Sequence, residues 1–490
     1  MPDLYTHQRE GITFLAKRSA AMLCDEMGTG KSRQVLVAAK QLFDAKKIDR
    51  VLVLLPAAVK FSWNEELIKI AGDFIGIHYE PSNQKLHLGD QYSENDDVTL
   101  LPICCVSYAL LPQKRHVEAL KKWCEDGKTL LVCDESSFLK NRTAKQTKGS
   151  ASIARRCFYV WLLSGTPIAN SPLDLFGQAL VMSNGAGPLK GFKSFYHFRA
   201  RYAVLKMMNM GQVRFQQVVG YQNLDELTKR FAPYVLRREK KDCLDLPEKT
   251  YTVREVALNE ATWRIYTELR REAMLCLPDT EECPEPNAAV RILRLCQLTS
   301  GHMGNVPITS DDGEYEPLRD VSSEKLDYLV DSILNGELSN ECALICWCRW
   351  RRERERLRDM LTKERSVLLW QVFGGQSQKD RDDNIKMFQS NDCSLKNILL
   401  AQPHAGGFGL NLTAASTAVY LSNDFSHTTR VQSEDRIHRI GQNKPCLYVD
   451  VVAVGPKNQH TVDSHVLDCL RAKKDLAAMT CGAWRRVLEE

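Results

Sequence analysis

The chain has 490 residues, room for about three domains at roughly 150 residues each. Hydrophobic residues make up 44% and charged residues 26%, which excludes a disordered or fibrous chain. With 66 Lys and Arg against 61 Asp and Glu, the net charge of +5 is too small to mark a nucleic-acid binder in bulk, so any such site must be a local groove. Asp3, Arg9 and Glu10 ahead of a short apolar patch do not make a secretory signal, and no apolar run approaches the ~18 residues that span a bilayer. A soluble, intracellular chain with no membrane partner is expected.

Uncharged Val/Leu/Ile runs at 51–55, 103–107, 129–133 and 160–163 read as strands covered on both faces. A second set follows at 343–347, 397–400, 418–421 and 447–452. Helix-compatible stretches separate the runs, so the predicted class is α/β with two parallel sheets. The intervening region, roughly 180–322, is rich in Arg, Lys and aromatics and reads as helical insertions and a linker. The expected organisation is an N-terminal lobe over 1–238 with a helical insertion at about 180–235, a linker and helical insertion over 239–322, and a C-terminal lobe over 323–490. The 17 cysteines lie mostly inside apolar runs and lack any C-x-x-C pair. Even Cys342, Cys346 and Cys348, the tightest group, lack a fourth ligand, so buried reduced thiols are expected there rather than zinc.

Asp25-Glu26-Met27-Gly28-Thr29-Gly30-Lys31-Ser32 is a glycine-bearing loop ahead of a helix-compatible stretch. Such a loop curls its N–H groups around phosphates, Lys31 reaches the β- and γ-phosphates, and the Ser32 hydroxyl ligates Mg2+. Asp25 stands where the strict pattern has its first glycine. Downstream, the apolar run 130–133 ends in Asp134 and Glu135 at a strand tip, where α/β sheets hold ligands. Asp134 is assigned to Mg2+, and Glu135 to orienting and deprotonating the attacking water. Arg436 and Arg439 are three apart on a predicted helix, so both can leave one face and act as arginine fingers toward a γ-phosphate.

Taken in order, these motifs resemble the Swi/Snf-type ATPases of helicase superfamily two, over nearly the whole chain. The resemblance accommodates Asp25 and implies two RecA-like lobes, ATP and Mg2+ as cofactors, and double-stranded DNA as the track. It implies nucleotide contacts at Tyr5, Gln8, Asp25, Met27, Gly28, Thr29, Gly30, Lys31, Ser32, Gly407 and Gln432. It implies DNA contacts at Pro56, Ser107, Tyr108, Gly406 and Asn411. Trp63, the 163–167 segment Leu-Ser-Gly-Thr-Pro, and Leu236-Arg237-Arg238 with Leu246-Pro247-Glu248-Lys249 also fit the family pattern. Three positions depart from it. Ser137 replaces a histidine that couples hydrolysis to the 163–167 motif, Gln402-Pro403 replaces Ser-Thr, and Phe425 replaces a tryptophan.

The substrate argument is separate. Lys190, Lys193, Arg199, Arg201, Lys206, Arg214, Lys229 and Arg230 interleave with Phe192, Phe195, Tyr196, Phe198, Tyr202 and Phe215. That mixture suits a backbone-tracking groove and equally suits a packed helical insertion. Residues 349–358 read as a salt-bridged, solvated helix face. The leading function is an ATP-dependent duplex translocase acting on replication, recombination or repair intermediates, branched or forked DNA included. It is expected to be monomeric and open to a protein partner that supplies specificity, and nucleoid-associated or nuclear according to its host. The rivals are an ATP-gated DNA-binding scaffold with little turnover, and a strand-separating helicase, for which the sequence offers no separating pin or hairpin.

Overall fold

Aliphatic runs form the centres of two sheets in the computed structural model, which describes residues 4–69, 74–88, 100–168, 171–183, 187–210, 213–275, 286–304, 317–390, 395–406 and 410–472. The chain divides into two compact units, Met1–Asp245 and Leu246–Glu490.

In the first unit, helix α1 (Thr6–Ala16) leads into β1 (Ala20–Leu23), and α2 (Lys31–Asp44) leads into β2 (Arg50–Leu55). Then come β3 (Phe74–Glu80), β4 (Lys85–Leu88), β5 (Leu101–Ser107), β6 (Thr129–Cys133) and β7 (Tyr159–Leu163). A hairpin of β8 (Ala203–Met210) and β9 (Val213–Tyr221) follows, and β10 (Val235–Leu236) returns to the sheet. The sheet order is β10-β1-β7-β6-β2-β5-β3-β4, parallel throughout except for the β3–β4 pair. Every residue of β6 is buried, as a strand covered on both faces requires. Because these strands are parallel, the loops after β1, β2, β5, β6 and β7 all emerge at one edge. That edge is where such sheets hold ligands.

The second unit contains β11 (Lys249–Ala257), a small antiparallel pair β12 (His302–Met303) and β13 (Arg319–Asp320), then β14 (Ala343–Trp347), β15 (Val367–Val372), β16 (Lys396–Ala401), β17 (Thr417–Tyr420) and β18 (Cys446–Val454). Its main sheet is parallel, in the order β11-β18-β17-β14-β16-β15. Alternation splits β14 between two cores. Leu344 and Cys346 pack with Leu326, Leu329 and Leu357 on one side, and Ile345 and Trp347 pack with Phe388 and Ile437 on the other.

Three expectations need correction. The 180–235 insertion is not wholly helical, since helix Phe195–Tyr202 runs directly into the β8–β9 hairpin. The helix Arg351–Leu361 is not a purely solvated face: Arg351 pairs with Glu355 and Arg352 with Asp320, but Glu353 and Arg354 are buried. The helix expected to carry Arg436 and Arg439 ends at Glu434, so both arginines lie in the turns beyond it. Cys346 and Cys348 are buried and burial pushes both thiols up, whereas Cys342 is exposed. Among the described residues no helix is long and apolar enough to cross a membrane.

Candidate active site

The loop between β1 and α2 closes on two glycines in the left-handed region, Gly28 at φ +81° and Gly30 at φ +79°. Side chains at either position would strain that turn. Lys31 opens α2, so the helix N-terminus and its unpaired N–H groups face the loop. The Lys31 ammonium donates to the Asp25 carbonyl at 2.8 Å and the Glu26 carbonyl at 3.1 Å, folded back over its own loop. Ser32 follows on the first turn of α2. The α1 end approaches from the side: His7 Nε2 and Gln8 Nε2 donate to the Thr29 carbonyl at 2.9 and 3.3 Å. The half-exposed Tyr5 ring stacks on His7 with centroids 5.7 Å apart. Tyr5 and Gln8 therefore sit beside the 25–32 loop.

Asp25 has a structural duty. Its fully buried carboxylate takes two bonds from Arg238, Nε to Oδ1 at 3.0 Å and Nη2 to Oδ2 at 2.6 Å. Gln34 Nε2 adds a third at 3.3 Å. The same guanidinium reaches Glu10, Gln34 and the His7 carbonyl, so α1, the loop and the chain after β10 are tied at one point. Sequence reasoning recorded Arg238 only as part of a pattern. The signal that could have found it is the odd carboxylate at 25, which needs a buried cation.

Beyond β6, Asp134 is buried with both oxygens engaged. Trp63 Nε1 donates to Oδ2 at 2.7 Å and the Glu135 amide to Oδ1 at 2.9 Å. Burial raises the Asp134 pKa, opposed by the Trp63 bond and the nearby Lys31 charge, which places the lysine and the carboxylate in one field. Glu135 adopts φ +47°, a strained backbone for a non-glycine residue. Tyr108 is buried; its hydroxyl donates to the Asp134 carbonyl at 2.9 Å and its ring stacks on Phe138. Tyr108 thus supports the strand tip, and what it can offer DNA is confined to its backbone. Ser107 caps the short turn at Tyr108–Leu110, and Pro56 ends β2 at the same edge.

The link from this tip to the 163–167 motif does not pass through Ser137. Ser136 Oγ donates to Gln178 Oε1 at 2.8 Å, and Gln178 Nε2 donates to the Pro167 carbonyl at 2.6 Å. Gly165 lies against the phosphate loop, where a Cβ would sit 2.8 Å from Met27 Cγ.

In the second unit, Arg436 Nη1 and Arg439 Nη1 both donate to the Leu410 carbonyl, at 3.3 and 2.8 Å. A turn rather than a helix brings the two side chains together on that carbonyl. Arg436 Nε also donates to the carbonyl of Gln432, whose side chain is buried. Arg430, three residues before Ser433, is buried and clamped by Asp450, Glu434 and Asn423, an ion cluster the sequence did not disclose. Gln402 bridges the Gly374 amide and the Arg349 carbonyl, and Arg349 lies 4.1 Å over the Phe425 ring. Both departures are thus built into the packing. Gly406 closes a short helix, Asn411 follows it in the same motif, and Gly407 lies outside the described residues.

The SNF2-related domain matches residues 7–296, and the helicase conserved C-terminal domain matches residues 324–441. The chain belongs to the SNF2-related family. It is similar to an uncharacterized ATP-dependent helicase of Mycoplasma pneumoniae, 25% identical over 98% of this chain and 42% of that protein. It is also similar to the SWI/SNF-related matrix-associated actin-dependent regulator of chromatin subfamily A-like protein 1 of Drosophila melanogaster, 27% identical over 97% of this chain and 55% of that protein. The chain therefore spans about half the length of the curated relatives it matches. The SWI2/SNF2 ATPase core of Sulfolobus solfataricus in complex with double-stranded DNA aligns with 99% of this chain and 95% of its own, at 22% identity and a TM-score of 0.41.

Proposed function

We propose that this SNF2-related chain is an ATP-dependent double-stranded DNA translocase, a DNA-dependent ATPase that moves along duplex or remodels protein–DNA complexes. The observation that supports this reading is one edge of the first sheet, where the loop after β1 that leads to Lys31 and the tip of β6 that bears Asp134 and Glu135 both emerge. Tyr5, Gln8 and the 25–32 loop hold the nucleotide, with Lys31 leaving the Asp25 and Glu26 carbonyls for the phosphates. Ser32 and Asp134 supply hard oxygen ligands that suit Mg2+, which is bound through one or two protein groups plus phosphates rather than by a protein cage. When bound, the metal neutralises developing phosphate charge. Glu135 orients the water, Arg436 and Arg439 supply positive charge, and Gln432 and Gly407 are assigned to the nucleotide by the family resemblance.

Residues 1–245 serve nucleotide binding and residues 246–490 form the second lobe, whose main sheet includes β11 from the expected 239–322 linker. DNA is gripped through phosphates near Pro56, Ser107, Gly406 and Asn411, so the motor tolerates any sequence. Its DNA is a replication, recombination or repair intermediate, and a protein partner supplies the address.

Steady-state ATP hydrolysis tests this, with the chain alone and with duplex, single-stranded or forked DNA, and Lys31→Ala as control. Stimulation by duplex that disappears in the variant is expected. Turnover indifferent to DNA would replace the translocase with the gated scaffold.

A further inference from the structure

The β8–β9 hairpin has little reason to exist as packing. A two-stranded hairpin is marginal in water on its own, and among the described residues this one is buried only at its base, at Tyr202 and Ala203 beside Phe198. Beyond the base most described side chains are exposed on both faces, with Arg199 bonded to Gln216. Pairing puts Lys206 opposite Gln217 and Met208 opposite Phe215 on one face, with Met207 opposite Gln216 on the other. Met207 is 57% exposed and Phe215 43% exposed. Large apolar groups held out on both sides of a ribbon mark a surface for a partner more than a core.

Charge identifies the occupant. Between Asp174 and Asp225 the sequence has no Asp or Glu, while Lys190, Lys193, Arg199, Arg201, Lys206 and Arg214 all fall there. Arg199 reaches across to the hairpin and donates to Gln216 Oε1 at 2.6 Å, and Tyr196 at the base stands between Arg142 and Arg199. The two strands themselves carry Lys206 and Arg214 and no carboxylate, while Arg201 at the base is paired with Glu226; a ribbon so charged suits a polyanion. Phosphates alone give Met207 and Phe215 no partner, whereas the faces of unstacked bases do. Unstacked bases beside duplex occur where DNA branches.

We propose that the Ala203–Tyr221 hairpin engages the branch point of forked DNA, with Met207 and Phe215 against unpaired bases and Lys206 and Arg214 on the flanking phosphates. This deepens the translocase reading and rests on it by naming branched duplex as the substrate class.

The test is a nucleotide-free titration of the full chain against a fork carrying 2-aminopurine at the branch, beside linear duplex. Met207→Ala/Phe215→Ala should weaken fork binding about fivefold or more and erase the fluorescence change, while linear-duplex affinity stays within about twofold. Phe215→Trp, which keeps a flat face, should retain the signal and guards against loss of folding. Unchanged fork binding and signal in the double variant would overturn the proposal and leave the hairpin to a protein partner. Equal losses on fork and linear duplex would overturn its branch specificity. A wild-type fork signal without DNA-stimulated hydrolysis would sink the motor and spare the hairpin; no wild-type fork signal would sink the hairpin whatever the hydrolysis.

Discussion

Replacing Arg238 with alanine removes the cation from a fully buried carboxylate. The Asp25 side chain is 0% exposed and Arg238 13% exposed, so water cannot take over the lost bonds. Breaking one partner of such a pair costs about 3–5 kcal/mol, because a charge is left buried and uncompensated. The cost should appear first where β10 meets β1. There the Met22 and Cys24 amides donate to the Tyr234 and Leu236 carbonyls, both at 2.7 Å. Amide hydrogen exchange at these two positions should accelerate by roughly 10² to 10⁴. Arg238→Lys keeps the charge without the two-pronged fit and should fall between. The double variant Asp25→Leu/Arg238→Met removes both charges and should be less damaged than Arg238→Ala. Exchange in Arg238→Ala within about twofold of wild type would refute the reasoning, since ordinary surface changes stay near ±0.5 kcal/mol. So would a double variant worse than the single one.

Glu135→Gln should leave ATP binding intact and reduce turnover by about 10² to 10⁴, read by single-turnover hydrolysis. Normal turnover would remove Glu135 from its role. Arg439→Ala should leave nucleotide affinity nearly unchanged and slow hydrolysis by about 10³ to 10⁵; an equal loss of affinity would mark a ground-state contact. Burial raises the Glu353 carboxyl from 4.5 to about 7, against the Lys325 charge and the Ser422 hydrogen bond. Between those values the folded chain keeps a proton that the unfolded chain has lost, so stability falls as pH rises, by about 3 kcal/mol in all. Glu353→Gln should flatten that slope in urea titrations at pH 5 and 7.5.

The long strands were legible because continuous aliphatic runs leave few other options. All eight predicted runs became strands within a residue or two of their expected ends. β1 escaped because four residues of Ala-Ala-Met-Leu carry little pattern, and β11 because Lys249–Ala257 mixes charge into an edge strand. The glycine loop ahead of α2 was legible because its turn fixes residue type and spacing locally. The supporting bonds were not, since Trp63 and Asp134 are 71 positions apart and Arg238 and Asp25 are 213 apart. The hairpin was hidden for another reason. Helix and ribbon share residues such as Met, Gln and Val when neither face is buried, so no period marks the change.

One device recurs in the two units. In the first, Arg238 binds Asp25 and thereby fixes the loop that presents Lys31. In the second, Arg430 on the helix His427–Glu434 binds Glu434 of that helix and Asp450 of β18, and the helix's C-terminal end leads directly to Arg436 and Arg439. Each pair is buried, and buried pairs return little net stability because desolvation consumes most of the Coulomb gain. What they do supply is a unique geometry. A guanidinium seated on a carboxylate by two bonds tolerates little sliding, and the residue a few positions away that is proposed to reach phosphate would inherit that precision. A hydrophobic pair in either place could match the stability yet leave the loop free to shift by an ångström, which is the scale on which phosphoryl-transfer geometry is lost.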